Sequence, residues 1–342
     1  MRAQRARTTL WLLGLALPLC LLHATASGTV PISLPEAAAA LGRYLQGESV
    51  DQAAVIIGQI RLPRSLLAML VGAMLGMTGA AMQGLFRNPL ADPSLIGVTA
   101  GAALGASMAI AMAAPVVAGV GALGVVSIGA FAGGMLAVIL VYKLATSGGM
   151  TSVATMLLAG IAISALSAAA SNILEFYSSN EILRRISMWR MGGLDGANYP
   201  RVIVALVATT LLVTTLPRFA NALNALLLGE SEARYLGINI EFAKRCIITL
   251  AAIGVGFSVA LAGVIGFVGL VVPHIMRMLI GPDHRYLLPA SGLAGAILLM
   301  LADTLSRTIV APTELPVGVV TAAIGVPFFI SLLRRRRDYG ML

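Results

Sequence analysis

Lysine is nearly missing from this chain: Lys143 and Lys244 are the only two among 342 residues. Neither stands in a GxxxxGK[ST] context, so the phosphate-cradling loop of nucleotide-hydrolysing proteins is excluded. Cysteine is equally scarce. Cys20 and Cys246 both fall in apolar stretches, with no CxxC pair and no Cys/His cluster. That excludes a disulfide framework or a zinc site, and both cysteines read as small buried hydrophobes. Charge of either sign is thin, at 11% of residues against about 25% in a soluble domain. A water-soluble protein of this length could not cover its surface with so few charges. This excludes a cytosolic enzyme, a nucleic-acid binder and a disordered protein. No HExxH, GxSxG or paired-carboxylate constellation is present, so the chain offers no catalytic set. Ten-residue segments of alternating polarity are also missing, which excludes an outer-membrane barrel.

What is there is apolar and helical. Hydrophobic residues make up 58% of the chain and mean hydropathy is +0.94. A bilayer core takes about 20 apolar residues per helix. The charge-free run 93–142 is too long for one helix and divides near Ala114-Pro115. The run 246–276 is interrupted by Gly263, Gly266, Gly269 and Pro273, giving a helix over 246–262 and another from about 265. Ten spans are predicted, at about 9–27, 62–82, 93–110, 115–142, 152–173, 200–217, 246–262, 265–280, 286–303 and 314–333. With the N-terminus in the cytoplasm, 15 basic and 6 acidic residues fall inside, and 8 of each outside. That asymmetry obeys the positive-inside bias, and an even count keeps the Arg334 to Arg337 run inside. At the N-terminus, Arg2, Arg5 and Arg7 precede an apolar run that ends in Ala24-Thr25-Ala26. The pattern fits a cleaved signal peptide as well as a retained first helix.

No ionisable residue is expected at mid-membrane, where ion-coupled transporters usually need one. Asp303 and Glu175 lie near the outer ends of their spans. His274, the deepest candidate, follows Pro273 and reads as a hydrogen-bond partner for backbone freed by that proline. Gly72-Ala73, Gly76 and Gly79-Ala80 give the second span a small-residue face for close helix packing. The fifth span carries small residues on nearly every face, Ala165 and Ala169 among them, and reads either as tight packing or as the smooth wall of a wide path. The longest polar inner loop, about 218–245, has helical periodicity from Ala220 to Arg234. Gly229 marks a break and Gly237 a stop. Two short helices there suit docking into a groove of another protein. A passive channel would need no such loop, and a secondary transporter would need the missing carboxylate.

Several motifs resemble one family in order and spacing. Arg61-Leu62-Pro63-Arg64 opens the second span, and Gln83-Gly84-Leu85-Phe86-Arg87-Asn88-Pro89-Leu90-Ala91-Asp92-Pro93 follows its end. Further on stand Gly266-Phe267-Val268-Gly269-Leu270-Val271-Val272-Pro273-His274 with Arg277, then Asp283-His284-Arg285, Ala302-Asp303 and Glu314-Leu315-Pro316-Val317-Gly318. Together they resemble the FecCD-type (BtuC-like) permeases of ABC importers, which carry ferric siderophores, haem and vitamin B12. The likeness covers about residues 9–335. It favours a retained first helix.

The resemblance implies an all-α integral membrane fold. Ten helices would form two inverted five-helix repeats in a single permease domain spanning 1–342, paired as a homodimer. It implies a multi-pass protein of the bacterial inner membrane with both termini cytoplasmic and membrane lipid around it. No cofactor, resident metal or nucleic acid is expected. The partners implied are a second copy, two ATP-binding cassette ATPase subunits and a periplasmic substrate-binding protein. ATP hydrolysis would reside in the ATPase, so the chain itself is no enzyme. Carried over residue by residue, Arg61, Arg64 and Arg307 match the arginines that dock the binding protein. Glu230, Glu232, Ala233 and Gly237 match the ATPase-coupling helices. Asn88 and Leu90 match inner-gate positions, and Val153-Ala154 stand where some members carry Thr-Ser. The stretches Ala302 to Arg307 and Ala311 to Glu314 resemble the haem permeases most. Haem is therefore the cargo expected first, then ferric siderophores, then vitamin B12.

Overall fold

The computed structural model describes residues 2–47, 51–113 and 120–338. Helix α1 (Arg2–Ala26) and the short α2 (Leu34–Leu45) come first. A 34-residue helix, Gln52–Leu85, follows. It is made of α3 (Gln52–Val55), a π-helical stretch Ile56–Arg61 and α4 (Leu62–Leu85). A 3-10 turn, Pro93–Ile96, leads to α5 (Val98–Ala113), and α6 (Val120–Ala145) comes next. Between α6 and α7 (Val153–Phe176) sits a small antiparallel ribbon, β1 (Thr146–Ser147) with β2 (Met150–Thr151), in which Thr146 faces Thr151. This ribbon departs from a purely α fold. The remainder is α8 (Asn180–Arg190), α9 (Tyr199–Thr215), a 3-10 turn (Leu216–Phe219), α10 (Ala220–Leu226), α11 (Glu230–Tyr235), α12 (Ile240–Ala262), α13 (Val268–Ile280), α14 (His284–Thr308) and α15 (Val317–Asp338).

Among the described residues, seven helices are long and apolar enough to cross a bilayer, and three shorter apolar helices accompany them: Val98–Met112, Val268–Ile280 and Val317–Ser331. The expected division near Ala114-Pro115 lies outside the described residues. Helix α1 begins at Arg2 rather than near 9, α5 begins at Val98 rather than near 93 because the 3-10 turn precedes it, and two further starts differ for local reasons. The second span begins at Gln52 rather than near 62, because Asp51 caps Ala53 and the helix runs on through the π-helical stretch. The seventh begins at Ile240 rather than 246, because the Asn239 side chain accepts from the Phe242 amide at 3.1 Å. Its first two turns then absorb Glu241, Lys244 and Arg245.

Helix α4 is the axis of the bundle. Only Leu62, Leu66, Met69 and Ala73 escape burial along its 24 residues. Its small-residue face does what the sequence predicts. Gly72 lies against the Gly295 carbonyl and Gly76 against that of Ser291, both on α14, and Gly79 lies against the Gly269 carbonyl on α13. Without a hydrophobic drive between helices in lipid, such backbone proximity supplies dispersion contact instead. Gly101 and Gly105 on α5 meet Gly129 and Gly133 on α6 in the same way. Helix α1 packs along α14, while Trp11, Leu12, Leu15, Leu19 and Leu22 remain exposed, as a lipid-facing stripe would.

The run 246–276 is broken at 263–267, as its glycines predict. Gly263 (φ 67°) and Phe267 (φ 68°) both take left-handed backbone. The break is enclosed by protein: the Gly193 amide donates to the Ala262 carbonyl at 2.9 Å, and Phe267 sits against Gly325 of α15. Enclosure is what irregular backbone needs at membrane depth. Helix α13, with 13 residues, is about 20 Å long, too short to cross a bilayer alone. His274, on α13, packs edge-on to Phe328 with ring centres 6.2 Å apart.

Candidate functional site

The candidate residues gather at the two ends of α4 and along α7. At the Arg64 end, the apolar surroundings force each charge to find a partner. The Arg64 Nε donates to Asp303 Oδ1 at 2.9 Å, and its Nη1 to Glu314 Oε2 at 2.7 Å. Arg307 Nε lies 3.0 Å from Asp303 Oδ2, so one carboxylate serves two guanidinium groups. The other nitrogens of Arg307 donate to the carbonyls of Ser27 and Ala24, each at 3.0 Å. Arg61 donates to the carbonyls of Ala26 and Val30. All three arginines are buried, as is Asp303, whereas the Glu314 side chain is 39% exposed. The three arginines expected to meet a partner are therefore brought together but turned inward. Arg61 and Arg307 are spent on the end of α1 and the residues after it. Sequence reasoning missed this arrangement, although Asp303 and Arg307, four apart on one helix, carried a signal for it. Glu175, at the end of α7, pairs with Arg190 at 2.8 Å.

At the opposite end, α10 and α11 form the two short helices expected over the 218–245 loop. Gly229 separates them at φ 134° and Gly237 closes the second at φ 78°. Ala233 faces inward from α11 and is fully buried, while Glu232 and Gly237 are exposed. Around them Leu228, Tyr235, Leu236 and Phe242 present apolar side chains to the surface. Glu230 instead turns inward to Lys244, 2.8 Å away. Asn224 of α10 ties this unit to α14, donating to Asp283 Oδ1 at 2.7 Å and accepting from the His284 amide at 2.8 Å.

Two of the four gate candidates lie in the connection after α4 and two in the first turn of α7. Asn88 is exposed and accepts from the Leu90 amide at 3.0 Å, closing a local turn after α4. Val153 and Ala154 begin α7, where Ser152 caps the Thr155 amide at 3.2 Å. Ala154 is exposed and Val153 half-buried. Along α7, Met156, Ala159, Gly160, Ser167 and Ser171 are buried, with Gly160 against the Leu95 carbonyl. Ala165 and Ala169 stand on the opposite, exposed side with Leu158, Ile161 and Leu166. Among the described residues, packing thus leaves that face of α7 uncovered. Among the described residues no group of three or more His, Cys, Asp or Glu could hold a metal ion.

Residues 15–335 match the model of the FecCD transport family. The chain belongs to that family. Similar curated proteins include the hemin transport system permease protein HmuU of Yersinia pestis, 47% identical over 82% of this chain and 83% of that protein. The cobalamin import system permease protein BtuC of Halobacterium salinarum is 44% identical over 91% and 81%. The vitamin B12 import system permease protein BtuC of Salmonella paratyphi A is 40% identical over 97% of both chains. Among solved structures, an inward-facing ABC transporter assigned to the metal-chelate type superposes with a TM-score of 0.82 at 32% identity, covering 96% of this chain and 99% of that one. PsaBC from Streptococcus pneumoniae shares the fold alone, at a TM-score of 0.53 and 15% identity. The FecCD chain is accordingly a multi-pass membrane permease of an ABC importer. Members of this family are transport subunits, and ATP hydrolysis belongs to a separate subunit of such importers.

Proposed function

We propose that this permease moves a tetrapyrrole metal chelate, haem first, from periplasm to cytoplasm. The observation that carries the cargo reading is the 47% identity to a hemin permease. The similarity to cobalamin and vitamin B12 permeases, at 44% and 40%, makes vitamin B12 the second reading, since both cargoes are broad metal-centred macrocycles. In the proposed arrangement the seven long helices and three shorter ones, α13 together with the 263–267 break before it, make ten spans in two inverted repeats, both termini are cytoplasmic, and two copies pair across a central path. The uncovered face of α7 bearing Ala165 and Ala169 lines that path, with Asn88, Leu90, Val153 and Ala154 near its inner gate. Two ATPase subunits dock under α10 and α11, whose exposed Tyr235, Leu236 and Leu228 supply an apolar patch rimmed by Glu232 and Arg234. A periplasmic binding protein docks at the Arg64 end. There its carboxylates exchange with the exposed Glu314 on Arg64, a bidentate-capable acceptor site, while Arg61 and Arg307 shape the surface through the 24–30 segment.

The test is transport by the purified importer. The permease is reconstituted with its ATPase in liposomes, and uptake of haem, cyanocobalamin and a ferric siderophore is measured with the binding protein and ATP. ATP-dependent haem uptake is expected to exceed the other two. Uptake of cyanocobalamin or of the siderophore without haem uptake refutes the cargo assignment.

A further inference from the structure

Lys244 is one of two lysines in the chain and the only one that is buried, at 2% exposure. A buried ammonium is retained only where several acceptors surround it. Here there are three, on three different elements. Its Nζ lies 2.8 Å from Glu230 Oε1 at the start of α11. It donates to the Thr151 carbonyl at 2.9 Å and lies 3.4 Å from Glu241 Oε1 on its own helix. Glu241 completes the arrangement, its Oε2 accepting from the Thr151 amide at 2.9 Å. Both backbone groups of Thr151 are therefore held, one by each member of the ion pair. Thr151 is buried and is the last residue of β2, two positions before α7 begins.

We propose that Lys244 and Glu241 form a transmission clasp that makes α11 and the β1–β2 ribbon move as one body. This proposal rests on the assignment of α11 to ATPase docking and of α7 to the path. A displacement imposed on α11 then reaches the first turn of α7 through Glu230, Lys244 and the Thr151 peptide. The charges balance within the group, because Arg234 lies 3.8 Å from Glu241 Oε1: two carboxylates face two cations. The clasp can thus travel without exposing an unpaired charge. Lys244 acts here as a positioning residue.

Two measurements on the intact importer test it. In the first, spin labels are placed at the exposed positions Ser147 and Ser231 after Cys20 and Cys246 are replaced by Ser. Their distance is read with and without ATP. A distance that stays constant while labels at Ser231 on the two copies approach each other supports a rigid clasp. A Ser147–Ser231 distance that changes with ATP overturns it. In the second, Lys244→Met and the milder Glu241→Gln, which removes a charge of the clasp outside the docking helices, are compared for ATPase co-purification, ATP hydrolysis and uptake. The clasp predicts normal co-purification and hydrolysis with uptake per ATP reduced at least tenfold, and recovery in Lys244→Arg. Uptake per ATP at the parental value in both variants overturns it. Loss of ATPase co-purification in Glu241→Gln counts against the clasp as well, since Glu241 then serves docking directly. A docking assignment that is itself wrong shows separately, as an ATPase that binds a permease lacking the exposed Tyr235 and Leu236 side chains.

Discussion

Replacing Gly76 by Ala adds a single methyl group at a helix crossing where two backbones lie in direct contact. A Cβ built there lies 2.8 Å from the Ser291 carbonyl carbon and nearer still to its oxygen. Carbon atoms rest about 3.5–4.0 Å apart, so α4 and α14 must separate by roughly 0.7 Å or more. Local relaxation is blocked, because Gly72 presses on Gly295 one turn earlier and the obstacle is backbone rather than a flexible side chain. Overpacking of this kind costs about 1–3 kcal/mol. In a chain of this length, at about 2 °C per kcal/mol, the melting temperature in detergent is expected to fall by about 2–6 °C at a fixed scan rate. Gly14→Ala is the control, since a Cβ at Gly14 meets nothing within 4 Å, and it should melt with the parent. If Gly76→Ala melts with Gly14→Ala, α4 and α14 are not in backbone contact and the packing account fails.

Asp303→Asn leaves Arg64 with Glu314 as its carboxylate and Arg307 with backbone carbonyls but no carboxylate; breaking a buried pair from one side costs about 3–5 kcal/mol, and the variant should melt well below the parent in the same assay. An unchanged melting temperature would mean that the cluster contributes no net stability. Ala233→Pro with Arg234→Pro breaks α11 and should release the ATPase subunits on affinity purification; a complex of normal stoichiometry that still transports would make the loop a connector. Ala165→Trp or Ala169→Trp should block uptake while assembly and ATP hydrolysis persist. Uptake at the parental rate in both would remove α7 from the path.

The local features were legible in the sequence because their causes are local. Gly229 and Gly237 announced the ends of α11, and Gly263 with its neighbours announced the break before α13. The small residues at 72, 76 and 79 named the face of α4 that packs against its neighbours. The helix over 52–61 was not legible, since Gln59 and Arg61 interrupt its apolar run and its support comes from elsewhere. The Gly58 carbonyl accepts from the Tyr199 hydroxyl at 2.6 Å. The inward turn of the arginines was hidden for a similar reason. Arg64 pairs with a carboxylate 239 positions away, and Arg307 with carbonyls 280 and 283 positions away. Backbone carbonyls leave no mark in composition. Lys244 read as one more cytoplasmic charge, and nothing nearby in the sequence pointed to Thr151.

The grip of Arg307 on the carbonyls of Ala24 and Ser27 also sets an order of assembly. Helix α1 leaves the ribosome first, yet the groove it occupies is a face of α14, made some 280 residues later. A chain synthesised from its N-terminus must hold α1 by its contacts with α2, α4 and Arg61 alone until α13 and α14 are made. Full docking of α1 thereby waits for α14, and chains stopped before residue 284 should hold the 24–30 segment through Arg61 without the Arg307 bonds, and be cut there by proteases more readily than the full chain.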